Sequence, residues 1–225
     1  MNEHWSGQRW ANQLTKLLDL VKTDDRYPVQ VEAIAREYSK SVFPDDAIEV
    51  VKGAQLDGFE GGLFPAPNGK GKGWGIFYNS SVESPGRINF TLGHEFGHYL
   101  AHRRKFPEGI QCDPKAIMSW DIEYAQVEAE ANAFAAGILM PLHDFRVQIP
   151  ADVQPALDEI GACATRYGVS LLAATLRWLE YTTCRSVLVV SRDGFVKWAR
   201  SSKSALKTGA FIRTRGVAPV PVPLG

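Results

Sequence analysis

Apolar residues recur at helical spacing over Asn12–Val21, at Leu14, Leu17, Leu18 and Val21, and predict a short amphipathic helix. A second helix is predicted over Pro28–Tyr38, where Val31, Ile34, Ala35 and Tyr38 share one face. Pro44 and the pair Asp45–Asp46 mark a turn, and Ala47–Val51 follows as a short strand. From Gly53 to Gly73 glycine and proline are so frequent that the segment reads as loop or hairpin. It lacks the GxxxxGK(S/T) order of a phosphate-cradling loop, so a flexible connection is the expectation. Trp74–Tyr78 is a strand by its aromatic and branched residues and ends at Asn79–Ser81. After Arg87–Thr91 comes a helix expected to begin at Thr91, a suitable N-cap. Tyr124–Met140 is the strongest helix downstream.

Prolines interrupt the pattern between Pro141 and Pro155, the expected boundary between a domain over 1–150 and an accessory region over 151–225. Helices are expected over Ala156–Tyr167 and Ser170–Tyr181, then strands over Val187–Val190 and Phe195–Ala199. The strands are joined through Arg192-Asp193-Gly194, and Asp-Gly between apolar runs is a strong hairpin signal. The proline-spaced end, VAPVPVPLG, is expected to be extended or disordered. No internal repeat is evident.

Residues 94–98 read His-Glu-Phe-Gly-His. On a helix, positions i and i+4 lie on one face, so His94 and His98 can reach one Zn²⁺ while Glu95 sits beside it to take a proton from water. The surrounding helix is apolar at Leu92, Phe96, Leu100 and Ala101. Two histidines and a glutamate in a buried helix are costly without a compensating partner. A catalytic zinc needs a third protein ligand. His102 is two turns, about 12 Å, beyond His94 on a continuous helix, too far to share the ion, and reads as a surface residue at the helix end. In Tyr124–Met140, Ala131, Phe134, Ala135 and Ile138 form an apolar stripe. Glu128 falls on the core side of that stripe and Glu130 on the solvent side. Glu128 is therefore the candidate third ligand, and Asn132, on its face, is placed to orient a ligand from behind.

Together FTLGHEFGHYLAH (Phe90–His102), EAEANAFAAGILMP (Glu128–Pro141) and PVQVEAIARE near the N-terminus resemble the ImmA/IrrE family of metallopeptidases. The three blocks occur in the same order over residues 28–141. The resemblance implies an α+β, zincin-like minimal metallopeptidase fold, with an active-site helix and a glutamate helix packed on a small sheet. In this chain a C-terminal helical pair and a β-hairpin would follow. It also implies zinc held by His94, His98 and Glu128, with Glu95 as general base. The partner it implies is a helix-turn-helix repressor or antitoxin, cleaved in the bacterial or phage cytoplasm. A peptide substrate would add to the strand Trp74–Tyr78, were that strand the sheet edge. The residue that steadies the oxyanion is open among Tyr99, Tyr124 and His143.

The 225 residues carry 25 Lys+Arg and 25 Asp+Glu, a formal charge of zero that argues against a general nucleic-acid or membrane-surface binder. With 45% hydrophobic and 22% charged residues, the composition is that of a globular protein. The polar start, MNEHWSGQRW, has no apolar core of a signal peptide, and the longest apolar run, Ala133–Leu142, is shorter than the ~20 residues of a bilayer span. Three cysteines without paired spacing read as free thiols in a reducing compartment. A soluble, cytoplasmic protein is expected.

Cys112, between the two site helices, reads either as a thiol near the open zinc position or as a small buried loop residue. Ala164–Leu179 has the rhythm of a helix-turn-helix, but Leu171, Leu172, Ala173 and Ala174 suit packing better than base contact. From Arg192 to Arg215 seven basic residues face one acidic, Asp193, and a solvated hairpin face and tail is preferred to phosphate contact. The main expectation is a zinc endopeptidase. The alternative is a non-proteolytic module that sequesters a regulator, its zinc structural. Direct nucleic-acid binding through the basic C-terminal region is a third reading and is not favoured.

Overall fold

The computed structural model describes residues 5–22, 26–66, 73–111, 122–214, 216 and 218–222. The protein is α+β, with eight helices and six strands among the described residues. Two compact units are distinguished, Met1–Pro141 with Thr165–Ser170, and Leu142–Ala164 with Leu171–Gly225.

In the first unit, α1 (Gly7–Val21) and α2 (Val31–Val42) precede a sheet of β1 (Ile48–Ala54), β2 (Gly61–Pro65), β3 (Trp74–Asn79) and β4 (Ile110–Gln111). α3 (Pro85–Ala101) lies between β3 and β4, and α4 (Ile122–Leu139) follows β4. The strand order is β1-β3-β2-β4, with β1 parallel to β3 and the other pairs antiparallel. β3 is thus interior, which corrects the expectation of a substrate strand at Trp74–Tyr78. The cause is β2, hidden in the glycine-rich segment, which pairs Gly61 with Tyr78 and Pro65 with Trp74. Pro65 is tolerated because it ends the strand. Asn79 secures the turn into β2, its side-chain amide donating to the carbonyls of Leu56 (2.7 Å) and Phe59 (3.2 Å).

α3 starts earlier than expected. Ser84 is its N-cap and Pro85 occupies the first turn, where a missing N–H costs nothing and the fixed φ suits a helix. Thr91 lies inside the helix and is not its cap. Every residue from Leu92 to Leu100 is buried, because α3 packs on α4, α1 and α2 and on strands β2 and β3. Phe96 is the centre of an aromatic cluster with Tyr38, Tyr99 and Phe134. The C-terminal end of α3 is tied to the sheet through Asp46. Its carboxylate accepts from Arg103 Nε (2.6 Å) and Trp74 Nε1 (2.7 Å), and its carbonyl accepts from Tyr99 OH (2.7 Å).

α4 approaches both of its helical neighbours closely. A Cβ on Gly93 would lie 3.3 Å from Ala135 Cβ, and one on Gly97 would lie 3.0 Å from the Phe134 ring and 3.2 Å from Ala131 Cα. On its other side a Cβ on Gly137 would lie 2.7 Å from Ala11 Cβ of α1, and one on Gly7 only 2.0 Å from the Glu130 carbonyl oxygen.

The second unit holds α5 (Leu142–Gln148), α6 (Leu157–Tyr167, whose last residues belong with the first unit), α7 (Leu171–Tyr181), β5 (Val187–Arg192), β6 (Phe195–Ser201) and α8 (Lys203–Lys207). Asp193 and Gly194 turn the β5–β6 hairpin with φ of +52° and +79°, the double positive φ that favours Asp-Gly. The C-terminal segment is extended and adds to the hairpin: Val196 N–H donates to Val220 O and Val222 N–H to Gly194 O, both at 2.9 Å. On α7, Ala174, Trp178 and Leu179 are buried, whereas Leu171 and Leu172 are exposed. Among the described residues no helix is long and apolar enough to cross a membrane.

A Gly97→Val variant is expected to unfold about 1–3 kcal/mol more easily in a denaturant titration, because the new side chain meets the α4 backbone. Gly161→Ala, in α6 where a Cβ meets nothing within 4 Å, is expected to stabilise by about 0.5–1 kcal/mol.

Candidate metal centre

α3 and α4 bring His94, His98 and Glu128 together. One turn of helix separates the two imidazoles, whose Nε2 atoms are 2.9 Å apart with the rings nearly perpendicular at 79°. Glu128 presents a different oxygen to each: Oε2 is 3.2 Å from His94 Nε2 and Oε1 is 3.3 Å from His98 Nε2. All three residues are buried, and their ligand atoms converge within 4.8 Å of one another. This group could hold a metal ion.

Its donor chemistry fits zinc. Two imidazole nitrogens and one carboxylate oxygen, with a fourth position left over, are a catalytic zinc set. The His94 Nε2–His98 Nε2 separation of 2.9 Å and the 3.2 Å from His94 Nε2 to Glu128 Oε2 are near the about 3.3 Å edge of a tetrahedron with metal–ligand bonds of about 2.0–2.1 Å.

The cluster's electrostatics follow from burial and mutual contact. Burial lowers the His98 pKa, Glu128 opposes it and the neighbouring His94 and His102 add to it, leaving His98 at about 4. Burial is also the largest influence on His94 and acts downward, but the Glu128 hydrogen bond and the charges of Glu95 and Glu128 outweigh it and raise that pKa. Burial would raise Glu128, yet its hydrogen bonds and attraction to both histidines hold the carboxyl well below the usual range. A deprotonated Glu128 with a neutral His98 is the form a cation requires.

Behind the convergent atoms, each imidazole uses its second nitrogen. His94 Nδ1 is 3.0 Å from Asn132 Oδ1, which reaches back from an exposed position on α4. His98 Nδ1 is 3.1 Å from His102 Nδ1. His102 is therefore no surface residue: it caps α3 and is 6% exposed. It follows His98 by one turn, so the two rings share a face and their centroids lie 5.1 Å apart. It remains outside the group that could hold a metal. Glu130, expected in water, is only partly exposed, and its Oε2 is 3.6 Å from His102 Nε2. The sequence signal for this pair was the repeated i, i+4 spacing of His94, His98 and His102.

Glu95 is completely buried on the side of α3 that faces β2, and its charge reaches His94. A Cβ on Gly61 would lie 2.8 Å from Glu95 Oε1 and 2.5 Å from the Thr91 methyl, so only glycine leaves room for the carboxylate. Neither tyrosine considered for the oxyanion brings its hydroxyl into the centre. Tyr99 OH donates to Asp46 O, and burial pushes its pKa well up. Tyr124 OH donates to Gln111 O at 2.7 Å, at the end of β4. His143 lies on α5 in the other unit. Cys112 falls outside the described residues.

The solved structure of a Mycobacterium tuberculosis transcriptional regulator shares this fold, with a TM-score of 0.53 at 14% identity over 87% of the chain. The chain spans 55% of that protein's length. Among curated proteins no relative matches. The model of the IrrE N-terminal-like domain, a peptidase family, matches residues 48–179, which include both histidines, Glu95 and Glu128. With that match over more than half its length, the chain belongs to the IrrE N-terminal-like peptidase family.

Proposed function

We propose that the chain is a zinc-dependent endopeptidase of zincin-like fold, with the peptidase domain in residues 1–150 and an accessory region in 151–225. The observation that carries this reading is the convergence of His94, His98 and Glu128 at separations that suit one ion. His94, His98 and Glu128 are the metal ligands, and Asn132 holds the His94 ring. When bound, zinc would polarise the scissile carbonyl and make water more acidic.

The remaining steps belong to the chain. Glu95, buried beside His94, accepts the proton of the attacking water and passes it to the leaving amine. Gly61 leaves space for its carboxylate. The peptide adds as a strand along β4, which among the described residues pairs only with β2, the strand that Glu95 lies against. The substrate is a DNA-binding repressor or antitoxin in the cytoplasm. Two things support this: the regulatory partners implied by the sequence resemblance, and a structural neighbour that is itself a transcriptional regulator. The alternative reading is a non-proteolytic module that sequesters a regulator and keeps its zinc for structure.

The purified chain is expected to hold one zinc per molecule by metal analysis after dialysis. Glu128→Gln and His94→Ala are each expected to weaken it at least tenfold. Chelation should lower the Tm, since an ion that binds only the folded state stabilises it.

Cleavage is tested by incubating the zinc-loaded protein with helix-turn-helix regulators encoded beside it. Wild type is expected to cut one of them, and Glu95→Gln to keep its zinc while losing at least about 10²-fold in rate. Undiminished proteolysis by the variant removes Glu95 as the base. A stable complex without cleavage, with zinc bound, selects the sequestering module.

A further inference from the structure

We propose that His102 and Glu130 are positioning residues that fix the tautomer and direction of His98, a reading that rests on His98 being a metal ligand. A ring that offers Nε2 to a cation carries its proton on Nδ1. The His98 ring is completely buried, so that N–H needs an acceptor within the protein. The atom facing it, at 3.1 Å, is His102 Nδ1. It can accept only if His102 carries its own proton on Nε2. Nε2 of His102 in turn faces Glu130 Oε2 at 3.6 Å, and a carboxylate on that side favours this tautomer. The Nδ1 proton of His98 is therefore directed at His102, and the Nε2 proton of His102 faces the Glu130 carboxylate across 3.6 Å, an electrostatic contact and not a hydrogen bond. The His98 Nε2 lone pair is left pointing at Glu128 and His94.

The two imidazoles are thus oriented by different devices. His94 uses a single amide, Asn132, which cannot reverse its role at Oδ1. His98 uses a second imidazole, which could donate or accept at Nδ1, and Glu130 settles which. The turn of α4 that carries Glu130 is itself held, because the Glu130 carbonyl lies against Gly7 of α1, where a Cβ would come within 2.0 Å. The position of the carboxylate is therefore set by helix packing and not by its own side chain alone.

The test uses the full chain and measures Zn²⁺ affinity by competition with a chromophoric chelator, together with the visible absorption of bound Co²⁺. His102→Leu keeps the bulk but removes the acceptor, and should weaken zinc by about 10–100-fold and shift the Co²⁺ bands. His102→Asn places an oxygen on Cγ where the imidazole has Nδ1, and should recover most of that loss. Glu130→Ala should weaken zinc by about tenfold. Glu130 is partly exposed, so this variant tests the proposal even if His102→Leu fails to fold.

Wild-type affinity in His102→Leu or in Glu130→Ala overturns the positioning role. So does an Asn variant as weak as the Leu variant, which would make His102 a packing residue. Zinc binding by wild type that survives Glu128→Gln instead overturns the ligand set. Absence of zinc binding by wild type overturns both.

Discussion

The close approach of α3 and α4 is the constraint on which the rest of the first unit depends. Gly93 and Gly97, one turn apart, meet Ala131, Phe134 and Ala135 at distances where an added Cβ would already crowd its neighbours. Helices with ordinary side chains at their contact pack with axes 8–10 Å apart, and removing Cβ atoms brings them to the near end of that range or below it. A glutamate side chain is short, so Glu128 can touch both His94 and His98 only if the helices are held this near. The opposite face of α4 is pinned just as tightly by α1 at Ala11 and Gly137. The position of the carboxylate is thus a consequence of small residues, none of which has any chemistry of its own.

That arrangement buries His94, Glu95, His98, His102 and Glu128 in one region of the first unit. Each buried ionisable group carries a desolvation cost of several kcal/mol unless it is compensated. The compensation is local and ordered: Glu128 against two imidazoles, Asn132 and His102 behind them, Glu130 behind His102. Asp46, at the C-terminal end of α3, performs a purely structural version of the same task. It gathers Arg103, Trp74 and the Tyr99 hydroxyl and so holds the helix to the sheet. Two of the polar residues near the motif, Tyr99 and Arg103, therefore serve the scaffold.

The sheet contributes through absence as well. β2 pairs with β3 and β4 through backbone groups alone, and at Gly61 it must also admit the Glu95 carboxylate. A side chain there would satisfy the usual preference of strands for branched residues and would displace the glutamate. Glycine is a poor strand former, and it is used where the strand forms the wall of the site.

The His94–Glu95–His98 motif, the core-facing side of Glu128, the Asn132 contact and the Asp193-Gly194 hairpin were all legible along the chain. Each depends on a period or a turn chemistry that operates within a few residues. The family, too, was legible, because its three blocks keep their order. β2 was not, since glycines and prolines hide a strand whose partners lie nine or more positions away along the chain. Nor was the start of α3 at Pro85, because an apolar pattern marks the buried part of a helix and not its partly exposed first turns. His102 was misplaced for a related reason. Periodicity puts it two turns from His94 but one turn from His98, and only the packing of α4, with Glu130 beside His102, shows that this end of α3 is covered. The residues that could hold a metal were determined by the sequence. Which of them touch, and what stands behind each, was decided only when α3, α4 and β2 packed together, because contact across elements depends on the small residues between them.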